Sequence, residues 1–142
     1  MGRAGAIRFA QEGAAVGVVD VDEDAVASVV SEIEENGGKA KGIVADLTKD
    51  ADSKRIVTET AKYFKGLDFV WNHVGYPGPA SVEGVEMDDF DLTLDLNLRT
   101  ILITTDAALT ELRARGGGSL LFTASTSGLA GSGFSPIYSM AK

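Results

Sequence analysis

The chain has 142 residues, enough for one domain or part of one; 44% hydrophobic residues can build a core, and 24% charged residues argues against disorder. A formal net charge of −8 with no basic stripe excludes a nucleic-acid binder. The absence of cysteine excludes disulfides, thiolate metal sites and a cysteine nucleophile, and a single histidine, His73, excludes a His-rich metal centre.

No apolar run approaches the ~20 residues that span a bilayer, and no basic-then-apolar leader opens the chain. The expectation is a cytoplasmic protein with no membrane and no nucleic-acid partner.

Met1 to Gly13 reads as a helix with a small, apolar face at Ala4, Ile7, Phe9 and Ala10, stopped by Gly13. Val16 to Val19 is a β-branched strand ending at Asp20. Asp22 is placed to cap the next helix, whose Val26, Val29, Val30 and Ile33 recur at helical spacing until Asn36-Gly37-Gly38. A short strand over Gly42 to Ala45 finishes at Asp46. Thr48 or Asp50 opens a third helix, closed by Gly66, with Ile56, Val57, Ala61 and Phe64 inward. Phe69 to Val74 is the next strand, followed by a Gly75–Pro79 loop. A long helical pattern runs from near Met87 to about Arg115, broken by Gly116 to Gly118. Ser119 to Ala124 is a fourth strand, and Ser135-Pro136 starts a last helix with a hydroxyl cap and a proline that needs no N–H. Strands alternating with helices predict an α/β fold with a parallel sheet covered on both faces.

In such sheets ligands bind beyond the carboxyl ends of the strands. Asp20 sits at one such end. A carboxylate there can accept both hydroxyls of an adenosine ribose and repels the extra phosphate of NADP, which favours NAD; its alternative role is to start a turn. Tyr138 and Lys142, four apart, share one helix face. A tyrosine hydroxyl ordinarily titrates near ~10, and an ammonium beside it favours the phenolate, which makes a usable general acid/base. Ser125, thirteen residues before Tyr138, follows an apolar strand and could bond the same substrate oxygen; otherwise it caps a loop. Asn97 stands inside a helix, where asparagine is mildly unfavourable and therefore suggests a purpose.

At Ser125 followed by Tyr138-x-x-x-Lys142 the chain resembles the short-chain dehydrogenase/reductase family, and further matches come in the family's order. The resemblance implies that Tyr138 passes the proton, Lys142 tunes Tyr138 and holds the nicotinamide ribose, and Ser125 orients the substrate oxygen. Asn97, in Leu94-Asp-Leu-Asn97-Leu-Arg-Thr, matches the helix asparagine that holds a water in the proton relay. Asp46-Leu47 resembles the acidic position against the adenine, with a turn before the Asp50 helix as the alternative. Asn72-His73-Val74-Gly75 takes the place of the Asn-Asn-Ala-Gly signature: Asn72 and Gly75 match, while His73 and Val74 depart, so His73 is read as structural. An amide at Asn72 could bridge neighbouring strands, and Gly75 would let the cofactor approach. Val74 joins the cofactor-binding set with this stretch. Met1-Gly2-Arg3-Ala4 resembles the tail of the family's Thr-Gly-x-x-x-Gly-Ile-Gly turn, with Gly2 its last glycine.

The resemblance thus implies a truncated fragment, inactive as it stands: a single incomplete dinucleotide-binding domain over residues 1–142. Its fold is a partial Rossmann-type doubly wound parallel sheet, lacking the first strand and the C-terminal strands. In the 3-2-1-4-5 order the missing strand lies between the strands ending at Asp20 and Asn72, so these stay apart or pair directly. The implied function is NAD(P)-dependent hydride transfer between a secondary alcohol and a ketone, in a homodimer or homotetramer, with no metal. The alternatives are a non-catalytic nucleotide-binding or assembly module, or a methyltransferase-like domain that binds S-adenosylmethionine. A hydrolase built on Ser125, His73 and an Asp lacks the Gly-x-Ser-x-Gly elbow.

Overall fold

The structure is a computed structural model describing residues 1–142. Its elements in chain order are α1 (Gly2–Gln11), β1 (Ala15–Asp20), α2 (Glu23–Glu35), β2 (Lys39–Val44), α3 (Asp50–Phe64), β3 (Phe69–Asn72), α4 (Met87–Leu94), a π-helical turn (Asp95–Arg99), α5 (Thr100–Ala114), β4 (Ser119–Phe122), α6 (Ser127–Ala130) and α7 (Pro136–Ala141). The alternation is the α/β pattern expected from the sequence.

The four strands form two separate parallel pairs. β1 runs beside β2, with Ala15 opposite Lys39 and Asp20 opposite Val44; β3 runs beside β4, with Phe69 opposite Ser119 and Asn72 opposite Phe122. The strands ending at Asp20 and Asn72 therefore stay apart, one of the two expected arrangements. Helix α1 touches both pairs. Ala10 packs with Val18, Val29, Ile33 and Ala40 around the first pair. Phe9 reaches the second, with its ring 5.2 Å from that of Phe69 and 5.7 Å from that of Trp71, both edge to face. A second cluster, Val57, Ala61, Leu67, Ala108 and Leu112, joins α3 to α5.

The helix ends follow local chemistry, with three corrections. Asp22 caps α2 as expected, its carboxylate accepting from Ala25 N–H at 3.0 Å. Ser135 does not cap α7 with its side chain; its carbonyl instead accepts from the Ser139 hydroxyl and N–H. Lys65, not Gly66, takes the left-handed conformation that closes α3 (φ 62°), while the Gly66 N–H bonds the Ala61 carbonyl at 2.8 Å. The long helix predicted from Met87 to Arg115 is interrupted at Asp95–Arg99, where the Thr100 N–H bonds back five residues to Asp95. Short α6, in the Ser- and Gly-rich stretch after β4, carries no apolar repeat and escaped the sequence reading.

No helix is long and apolar enough to cross a membrane.

Candidate active site

The π-helical turn puts Asn97 at the centre of the site. Its side chain is fully buried, and both ends of the amide are used. Oδ1 accepts from Tyr76 N–H at 3.2 Å, while Nδ2 donates to the carbonyls of Tyr76 (2.7 Å) and Thr93 (2.8 Å). The loop after β3 is thereby tied to the helix. One extra residue per turn widens the helix and re-aims a side chain, a feature recurrent at functional sites. Arg99, at the end of the turn, is anchored by two 2.7 Å bonds to the Asp50 carboxylate at the start of α3.

Gly75 lies between Asn97 and Lys142. A methyl group on Gly75 would sit 3.2 Å from Asn97 Oδ1 and 3.5 Å from Lys142 Nζ. Lys142 Nζ donates to the Thr123 carbonyl at 3.2 Å and lies 5.6 Å from the centre of the Tyr138 ring, within cation–π range. Burial holds the Lys142 ammonium below the usual lysine range. The four-residue spacing of Tyr138 and Lys142 thus brings them together as expected. Ser125, three residues past β4, accepts from Ser127 N–H at 3.2 Å, which leaves its own proton to donate.

The other predicted residues lie at neighbouring strand and helix ends. Asp20, exposed at the end of β1, accepts from Val21 N–H (2.8 Å) and Asp22 N–H (3.2 Å) through the same oxygen, so it does start a turn while its second oxygen is uncommitted. Asp46 is engaged locally: Thr48 donates to it from its hydroxyl (2.6 Å) and its N–H (3.2 Å), and Lys49 pairs with it at 3.2 Å. The Thr48 hydroxyl, then its N–H and Lys49, hold the Asp46 carboxyl below the ordinary range. The Leu47 carbonyl receives the hydroxyls of Ser53 (3.2 Å) and Thr100 (2.8 Å), fixing this strand end to α3 and α5. Val74 and Gly75 are both exposed. Gly2 opens α1 against His73: a methyl there would lie 3.2 Å from the imidazole Cδ2.

Asn72 corrects one expectation. Its amide does not bridge the strands: Oδ1 accepts from the Thr104 hydroxyl of α5 at 2.6 Å, and the buried Nδ2 has no partner. Sequence reasoning also missed Trp71 and Thr123. Trp71 Nε1 donates to the Thr123 hydroxyl at 2.8 Å, and His73 Nδ1 lies 2.9 Å from the same oxygen. The period-two alternation of Trp71 and His73 hinted at a shared face, but nothing local announced Thr123 as their partner.

A model of the short chain dehydrogenase family matches residues 1–142. The chain belongs to this family. Similar family members include an oxidoreductase of Thermotoga maritima, 31% identical over 142 residues, covering all of this chain and 56% of that protein. Levodione reductase of Leifsonia aquatica is 31% identical over 145 residues, covering all of this chain and 54% of that protein. Among solved structures, an NAD⁺-bound xylitol dehydrogenase superposes with a TM-score of 0.92 at 28% identity, covering 99% of this chain and 54% of that one. The NADH-dependent reductase A1-R′ in complex with NAD gives 0.90 at 30% identity, over 99% and 61%. The chain thus spans about half the length of the curated relatives it matches. These neighbours establish the partial Rossmann-type fold, and they do not favour a methyltransferase-like module.

Proposed function

We propose that the chain carries the catalytic part of an NAD-dependent oxidoreductase that interconverts a secondary alcohol and a ketone. The observation that carries this reading is the convergence of Asn97 Oδ1 and Lys142 Nζ on the bare backbone of Gly75, with the Tyr138 ring 5.6 Å from the same ammonium. The missing Cβ fits a cradle for a ribose beside Lys142, and the uncommitted Asp20 oxygen fits the far end of a dinucleotide. The nicotinamide would accept or supply the hydride.

The chain's residues do the rest. Tyr138 exchanges a proton with the substrate oxygen, and Lys142 places a positive charge where the phenol oxygen becomes negative. Ser125, whose oxygen accepts from Ser127 N–H, donates its remaining hydroxyl proton to the same substrate oxygen. Asn97 keeps the Gly75–Tyr76 loop beside Lys142 and supports the water chain of the relay. Gly2, Asp46, Leu47, Asn72 and Val74 complete the cofactor contacts. The Asp20 carboxylate favours NAD over NADP by charge, in line with the NAD-bound neighbours. The exposed apolar side chains of Met87, Leu98 and Leu102 support a homodimer or homotetramer. Residues 1–142 form one incomplete dinucleotide-binding domain, acting in the cytoplasm.

Energy transfer from the single tryptophan, Trp71, to NADH measures binding, and a panel of secondary alcohols with NAD measures turnover of the enzyme. In a version of the relatives' full length, Tyr138→Phe should lower turnover by about 10²–10⁴-fold and leave NADH binding intact. A Tyr138→Phe enzyme that keeps its turnover overturns the reading, as does a chain that binds no NADH.

A further inference from the structure

Thr123 is the first residue after β4, and each of its polar groups has a partner. Its N–H donates to the Asn72 carbonyl at 3.0 Å, and its carbonyl accepts from Lys142 Nζ at 3.2 Å. Its hydroxyl stands between Trp71 Nε1 (2.8 Å) and His73 Nδ1 (2.9 Å). An indole N–H only donates, so Trp71 supplies a proton to Thr123 Oγ1. The oxygen keeps a second lone pair and its own proton, so a neutral His73 ring completes the contact in either tautomer. The surroundings agree: burial first, then the α-amino group of Met1 at the start of α1 and Lys142 at the end of α7, hold the His73 pKa below its ordinary value. The Trp71 and His73 rings lie 4.2 Å apart, tilted by 36°, so the two arms of the clamp brace each other.

We propose that Thr123 is the positioning residue for Lys142, and that Trp71 and His73 lock Thr123 by clamping its hydroxyl from two sides. The carbonyl that receives the ammonium belongs to the clamped residue, so fixing the side chain fixes the acceptor. Thr123 also precedes Ser125 by two positions. One clamp therefore orients the strand end that delivers Ser125 and the ammonium beside Tyr138. The importance of this link for turnover rests on the oxidoreductase reading; the link itself does not.

One histidine and one tryptophan make the test direct, because each gives a single NMR signal in the 142-residue chain. Lys142 is followed with isotope-labelled lysine and identified by its loss in Lys142→Arg. Thr123→Val should move the Trp71 indole N–H signal upfield. It should also shift the His73 titration midpoint and lower that of Lys142, whose ammonium loses a fixed acceptor. Thr123→Ser should restore all three. If Thr123→Val moves the His73 and Trp71 signals but leaves the Lys142 midpoint in place, the positioning role is overturned. If none of the three moves, the clamp is overturned as well. Should Thr123→Val lose its fold by circular dichroism, Trp71→Phe keeps an aromatic ring and removes one donor. It should then lower the Lys142 midpoint, and an unmoved midpoint overturns the proposal. Failure of the oxidoreductase reading has a different signature: no NADH binding, with the three signals still moving together.

Discussion

Asn97 and Tyr76 exchange two hydrogen bonds across twenty-one positions of sequence, the amide oxygen taking the Tyr76 N–H at 3.2 Å and the amide nitrogen giving to its carbonyl at 2.7 Å. This pairing makes a side chain behave as a strip of backbone. It holds the turn at Gly75 against Lys142.

Asn97→Ala leaves the Tyr76 N–H and the Tyr76 and Thr93 carbonyls without the amide partner. Buried polar groups left unpaired cost about 1–3 kcal/mol each, and water entering the cavity offsets part of this. A loss of about 2–3 kcal/mol in urea denaturation is the expected outcome. Hydrogen exchange at Tyr76 N–H should accelerate at the same time. An unchanged exchange rate would show that the loop stands without the amide.

Gly75→Ala puts a methyl 3.2 Å from Asn97 Oδ1 and 3.5 Å from Lys142 Nζ. The first distance is tight for a methyl against a clamped amide. Overpacking of this kind costs about 1–3 kcal/mol, and here it also fills the approach beside Lys142. The expected result is a modestly lowered melting temperature with a much larger loss of NADH affinity, read by fluorescence titration.

Thr104→Val removes the only protein partner of the buried Asn72 amide, whose nitrogen is already unpaired. Valine keeps the shape, so the change removes only the hydroxyl's hydrogen bonds, the 2.8 Å contact with the Thr100 carbonyl among them. Stability should fall by about 1–3 kcal/mol, measured by urea denaturation, with NADH binding altered far less than by Gly75→Ala.

Acid should weaken the fold through His73. Its pKa in the folded chain lies below the ordinary 6.5, because burial and the nearby positive charges of the Met1 amino group and Lys142 disfavour the imidazolium. In the window between the folded value and the ordinary one, the unfolded chain binds more protons than the folded chain. Stability therefore rises with pH through that window. It is complete above about 6.5 and is lost as pH falls towards the folded value. Urea midpoints from about pH 7.5 to about pH 5 should show this decline, and His73→Gln should flatten it. The imidazolium formed at the acid end would also stand 4.2 Å from Trp71, so tryptophan emission should fall over the same range.

Much of the chain could be read from local pattern. The β-branched run before Asp20, the helical spacing of Val26, Val29 and Ile33, and the Asp22 cap are all set by neighbours within one or two turns, and local sterics and capping decide them. Tyr138 and Lys142 met for the same reason: four residues on a helix is a local distance. The π-helical turn was not legible, because one widened turn leaves the apolar repeat of the Met87–Arg115 segment almost intact. Asn97 was singled out for being polar in a helix, yet its partners Tyr76 and Thr93 became visible only once the loop after β3 was folded onto it. Thr123 had no signal at all. Its importance comes from the register that sets β4 beside β3 and carries its hydroxyl to Trp71 and His73, some fifty positions away. Contacts at that separation depend on which strands pair and in what register, and that choice is made by burial summed over the whole molecule.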